Sequence, residues 1–196
     1  SLKSYTSNWI PANIRLPEGQ ILFAVGDAHG YLESLKSVVK TGLELEPESI
    51  LIALGDLIDR GPDSLGCLKY MISTIAERGD KGIFLPGNHE AMMFAAIANI
   101  NDMYPLWMHN GGRWIQKNVK DSDGKSILSY LEKEFSEKEM NILTAHGAFL
   151  DKDILKNNKK KSDGTLFKRF GNLIFIHAGV IGSNQITMEE WINNHD

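Results

Sequence analysis

Cysteine is almost missing from this chain. Of 196 residues only Cys67 is one, so an intrachain disulfide is excluded and no thiolate cluster can hold zinc. Its place within the helical pattern after Pro62 marks it as a small buried apolar residue. Long apolar runs are lacking too. Nothing approaches the ~20 residues needed to cross a bilayer, and the N-terminus lacks the basic-then-apolar order of a secretory signal. The expectation is a cytoplasmic protein with no membrane partner. Neither sign of charge dominates: 21 basic against 25 acidic residues leave a formal net charge of −4, which argues against a nucleic-acid binder driven by bulk charge. Repeats, low-complexity stretches and linkers are also wanting. The chain is long enough for one good core and is read as a single domain over 1–196, with 1–19 as a polar N-terminal arm.

What is present is a repeated local design. Gln20 to Val25 is an apolar run stopped by Gly26-Asp27-Ala28-His29-Gly30. A helical pattern with Leu32, Leu35, Val38 and Val39 on one face follows; Thr41-Gly42 begins its end and Pro47 confirms the break. Ile50 to Leu54 reads as a second strand and leads into Gly55-Asp56-Leu57-Ile58-Asp59-Arg60-Gly61. Leu65, Leu68, Met71, Ile72 and Ile75 mark another amphipathic helix, closed around Gly79. A third strand, Gly82 to Leu85, meets Pro86-Gly87-Asn88-His89-Glu90, and a fourth, Leu173 to Ile176, meets His177-Ala178-Gly179. Alternation of this kind predicts an α/β fold with parallel pairing. Between these motifs, Met92 to Ile100 reads as a packed helix, Trp107 to Trp114 as a turn with aromatic flanks, and Ser126 to Leu143 as mostly helical. Asn157 to Gly164 reads as a solvated basic loop.

All four strands end in Asp, His or Asn beside a glycine. In α/β sheets the crevice outside the carboxyl ends of the strands is where ligands sit. Asp27, His29, Asp56, Asn88, His89 and His177 are therefore expected to converge, with Asp27 and His29 on one side of an extended segment. A single histidine at a strand end is ordinarily a satisfied structural residue. Four strand ends built alike are not explained that way. Carboxylates, imidazoles and an amide oxygen suit manganese, iron or zinc, and six such groups exceed the needs of one ion. Two divalent ions about 3.5–4 Å apart clamp the oxygens of an in-line displacement at phosphorus. Arg60 suits phosphate oxygens. One histidine is expected to stay off the metals as proton donor, with Asp59 to orient it.

The four motifs, in this order, resemble those of the phosphoprotein phosphatase family of calcineurin-like metallophosphoesterases, over about residues 20–180. The resemblance implies a β-sandwich flanked by helices with a dinuclear centre at the strand ends. It implies Asp27, His29 and Asp56 on a first metal and Asp56, Asn88 and His177 on a second. His89 becomes the general acid paired with Asp59, and Arg60, with Asn88 and His89 beside it, contacts the phosphate. Pro62-Asp63-Ser64, Leu85-Pro86 and Trp107…Asn110-Gly111-Gly112 resemble the bacterial and phage branch. The symmetrical diadenosine tetraphosphate hydrolases of the superfamily usually replace the residue at Asp59 and have Asp where Glu90 stands.

Family members carry a further histidine ligand in a Gly-His-Thr segment beyond His-Ala-Gly, and often a second arginine. This sequence has neither. Thr187-Met188-Glu189-Glu190 is a capping box that opens a helix close to Asp196, so the C-terminal portion of the family domain is expected to be absent. His195 is read as a surface histidine, and His109 and His146 as structural or surface residues. The expected function is a metal-dependent phosphomonoesterase acting on phosphoserine or phosphothreonine. Its nucleophile is a metal-bridging hydroxide, its cofactor two divalent ions (manganese first, iron or zinc as alternatives), and its partner a phosphorylated protein or small phosphoester. The rivals are a dinucleoside polyphosphate hydrolase and a non-catalytic module that binds phosphorylated partners.

Overall fold

The computed structural model describes residues 16–99, 103–119, 125–145, 167–171 and 173–177. Three strands, β1 (Leu22–Val25), β2 (Ile50–Ala53) and β3 (Gly82–Phe84), form a parallel sheet in the order β1-β2-β3. The register pairs Leu22 with Ile50 and Leu51 with Gly82. Helices α1 (Leu32–Leu45) and α2 (Ser64–Arg78) supply the crossovers that parallel pairing requires.

Side chains alternate across β2, and the two faces have different covers. Leu51 and Ala53 join the helix-side core with Leu35, Val39, Leu68, Met71 and Ile72. Ile52 joins Leu85 and Phe170 on the other side. Phe170 belongs to β4 (Phe167–Phe170), which pairs antiparallel with β5 (Leu173–Ile176) through Phe170 opposite Leu173. The hairpin lies on the face of the parallel sheet away from the helices, giving helix, sheet and sheet layers. The architecture is mixed α/β, with two sheets face to face.

The structure corrects several readings. The strand ending in His177 is not part of the parallel sheet; it belongs to the hairpin, whose first strand has a Phe-Lys-Arg-Phe sequence without period-two alternation. Helix α1 runs a few residues past Gly42 to Leu45, just ahead of Pro47. Gly42 is there for contact, since a Cβ at that position would run into the Phe23 ring. The segment 126–143 is two helices, α6 (Lys125–Glu134) and α7 (Glu137–Thr144), broken where Ser136 caps α7 by accepting the Glu139 N–H. Helix α3 spans Asn88–Ile97. The aromatic turn is a kinked helix: α4 (Met103–Trp107), a π-helical turn (Met108–Gly112) and α5 (Arg113–Val119). Cys67 is fully buried, as its place in α2 implied, and burial pushes its thiol up to about 12. Among the described residues no helix is long and apolar enough to cross a membrane.

Candidate dinuclear metal centre

The loops after β1 and β2 are joined main chain to main chain. The N–H groups of Asp27, His29 and Gly30 donate to the carbonyls of Gly55, Asp56 and Leu57 at 3.1, 2.9 and 2.8 Å. In return, Gly61 N–H donates to His29 O and Asp63 N–H to Gly30 O, both at 2.9 Å. Asp27, His29, Asp56, Asp59 and Arg60 all have positive φ, between 43° and 72°. Asp and His tolerate this region better than most residues, but each still costs free energy that surrounding contacts must offset. This corrects the reason given for the nearness of Asp27 and His29. They do not share one side of an extended segment; both residues are left-handed, and His29 is half-buried while Asp27 stays exposed.

Glu90 holds the second loop from below. Its carboxylate is fully buried and accepts the N–H groups of Asp56, Leu57 and Gly87, each at 2.8 Å. Burial pushes its pKa above the ordinary value, against the pull of the Gly87, Asp56 and Leu57 N–H groups. Asp56 Oδ1 accepts the His89 backbone N–H at 3.0 Å, tying the third loop to the second.

On this frame the Asp56 carboxylate lies between two groups of ligand atoms. Asp27 and His177 form one group with it, and His29 and His89 the other, all atoms within a group lying within 4.8 Å of one another. His29 Nε2 is 3.6 Å from Asp56 Oδ2, and His177 Nε2 is 3.4 Å from Asp56 Oδ1 and 3.0 Å from Asn88 Oδ1. His29 Nδ1 donates to the Ile58 carbonyl at 2.9 Å and His177 Nδ1 to the Leu54 carbonyl at 2.6 Å. Those bonds fix the tautomers, so both Nε2 atoms present lone pairs to oxygen lone pairs. Metal-ligating histidines are held in this way by a carbonyl on the other nitrogen. Acceptors facing acceptors need a proton or a cation between them, and the mixed oxygen and imidazole set fits a divalent metal ion. Asp27 groups with His177, which lies 3.9 Å away through its Nδ1. The candidate set therefore draws on all three parallel strand ends and on the hairpin.

His89 has a different setting. It is 1% exposed, its Nδ1 donates to Asp59 Oδ2 at 2.7 Å, and its Nε2 lies 3.1 Å from Arg60 Nη2. Burial works to lower its pKa, but the Asp59 hydrogen bond and the charges of Asp56 and Asp59 outweigh it and hold the pKa above the usual histidine value. Arg60 and Asn88 are exposed at the mouth of the site.

Sequence reasoning passed over three contributors. Ser64 Oγ accepts the Asp59 N–H at 2.9 Å, and Glu90 clamps the loops. The third is Trp107, whose indole N–H donates to Asp59 Oδ2 at 2.8 Å. Pro62-Asp63-Ser64 and Glu90 were in view as motif letters; only their hydrogen bonds give them work. His109 is exposed and joins neither ligand group, while His146 and His195 lie outside the described residues.

The family model of calcineurin-like phosphoesterases matches residues 22–192. Serine/threonine-protein phosphatase 1 of Salmonella typhimurium is 36% identical over 96 residues, 49% of this chain and 41% of that protein. Serine/threonine-protein phosphatase 2 of Escherichia coli is 30% identical over 112 residues, 57% of this chain and 47% of that protein. A symmetrical bis(5'-nucleosyl)-tetraphosphatase of Edwardsiella ictaluri is 34% identical over 82 residues, 41% of this chain and 28% of that protein. The chain spans less than half the length of these curated relatives.

Proposed function

The chain belongs to the calcineurin-like phosphoesterase family, and from that premise we propose that it is a metal-dependent phosphomonoesterase acting on phosphoserine or phosphothreonine in a protein partner. The observation that carries the reading is the Asp56 carboxylate, with an imidazole lone pair 3.6 Å from one oxygen and another 3.4 Å from the other. Such a carboxylate is built to bridge two cations. Asp27, His29, Asp56, Asn88 and His177 would hold the pair, with manganese the first choice among divalent ions. When bound, the ions supply Lewis-acid polarisation of the phosphoryl group and a nucleophile drawn from water at neutral pH.

The chain's own residues supply the rest. Arg60, on an exposed left-handed corner, offers a guanidinium to phosphate oxygens. That guanidinium donates to His89 Nε2; a phosphate competes for it and leaves Nε2 free to take up a proton from solvent. The proton then passes to the departing alkoxide, while Asp59 keeps Nδ1–H in place and stabilises the charged ring. Asn88, next to His89 on the first turn of α3, helps position the substrate.

Manganese-dependent hydrolysis of a phosphoserine peptide, lost in His89→Ala, tests the proposal. If no divalent ion supports turnover, a binding module takes its place. Hydrolysis of a phosphoanhydride is a second reading, favoured by the tetraphosphatase among the relatives. Turnover of a phosphopeptide against that of a dinucleoside tetraphosphate separates the two.

A further inference from the structure

Asp59 carries two donors on one oxygen. Oδ2 accepts from His89 Nδ1 at 2.7 Å and from Trp107 Nε1 at 2.8 Å, while Oδ1, also buried, has no hydrogen-bond partner among the described residues. Asp59 and Trp107 are both 0% exposed and His89 is 1% exposed. The carboxylate is thus held at one atom, by two side chains from different helices. The kinked segment that carries Trp107 is itself pressed on the loop. Gly111, at φ 121°, lies so close that a Cβ there would stand 3.1 Å from both Asp59 Cβ and the Arg60 nitrogen.

The geometry points to Trp107 as a positioning residue for the His89 proton donor, acting through Asp59. This deepens the phosphomonoesterase reading and rests on it for the role of His89. A carboxylate with a single partner can rock about its Cβ–Cγ bond and offer either oxygen. The indole N–H, fixed by a fully buried ring, removes that freedom and keeps Oδ2 in line with Nδ1. An indole kept only for core packing would do its work equally well without the N–H, so Trp107→Phe separates the two roles.

A misdirected acid hurts most where the leaving group is poor. With manganese-loaded protein, Trp107→Phe is expected to lower kcat on a phosphoserine peptide roughly tenfold more than on p-nitrophenyl phosphate, with KM within about twofold of wild type. A second readout needs neither metal nor turnover. The His89 ring N–H resonance, assigned by its loss in His89→Gln, is expected to exchange with solvent at least about tenfold faster in Trp107→Phe, since the buried hydrogen bond that protects it is loosened. Equal losses on both substrates, or an unchanged exchange rate, would overturn the proposal. If the wild-type chain hydrolyses neither substrate, the phosphomonoesterase reading fails, and the N–H exchange still decides whether Trp107 orders the pair. Should the Phe variant not fold, benzothienylalanine at position 107, which keeps the bicyclic shape and lacks only the N–H, must give the same results.

Discussion

Asp56 is gripped at its backbone by Glu90: Glu90 Oε2 accepts the Asp56 N–H at 2.8 Å, and the same oxygen accepts the Gly87 N–H at 2.8 Å. One buried carboxylate so sets the spacing between the second and third loops. Glu90→Gln puts an amide NH2 against backbone donors. It is expected to lower stability by about 2–4 kcal/mol, the cost of stranding one or two buried N–H groups. Urea unfolding of the two proteins measures this, and a difference below about 0.5 kcal/mol would remove Glu90 from the frame.

Metal stoichiometry tests the proposed bridging role of Asp56. Asp56→Asn is expected to lose both ions and His177→Ala one, with affinity at the damaged position falling at least roughly 10–100-fold. Metal content after gel filtration in limiting manganese reads this directly. If Asp56→Asn kept two tightly held ions, Asp56 would not be a bridge.

Gly111→Ala tests the kinked helix. A side chain at φ 121° is strained, and its Cβ would press on Asp59 and Arg60 at 3.1 Å. Two effects are expected, a loss of about 1–3 kcal/mol in stability and a fall in kcat. Thermal unfolding and aryl phosphate turnover report them separately.

Acid sensitivity has a source away from the site. Glu139 joins α7 to α2: Oε2 accepts from Lys69 Nζ at 2.8 Å and the Ser136 N–H at 2.7 Å, and Oε1 accepts from Ser73. Burial raises its pKa, but the Lys69, Ser73 and Ser136 hydrogen bonds prevail and hold it at about 2, against 4.5 for the free group. A depressed carboxylate stabilises the fold above its unfolded pKa, and that stability goes as pH falls through the folded one. Glu139→Gln is therefore expected to cost about 1–2 kcal/mol at pH 7 and almost nothing near pH 2. Unfolding midpoints of wild type and variant should converge as the pH drops from about 5 to 2.

Much of the centre was legible because its parts are local. An apolar run ending in Gly-Asp or Gly-Asn-His announces a strand and its loop together, and β1 to β3 lie within the runs that marked them. Less could be read where the determinant is distant. Trp107 and Asp59 are 48 residues apart, and nothing in the letters around Trp107 names its partner. β4 was missed because Lys168 and Arg169 break the alternation, its place being set by β5 and the sheet beneath. The packing role of Gly42 was hidden for a related reason: a glycine that admits Phe23 looks in sequence like one that only begins a helix's end. The pairing of Asp27 with His177 follows from a hairpin whose first strand sequence patterns did not reveal.

The main-chain lacing of the first two loops has a kinetic corollary. Because the backbone at Asp27, His29 and Asp56 is set in place by peptide groups, the proposed cradle is expected to be ordered by folding alone, with no loop rearranging when an ion arrives. Capture should then be governed by diffusion and the shedding of hydration water, and a chain that has lost its ions should regain them without first refolding.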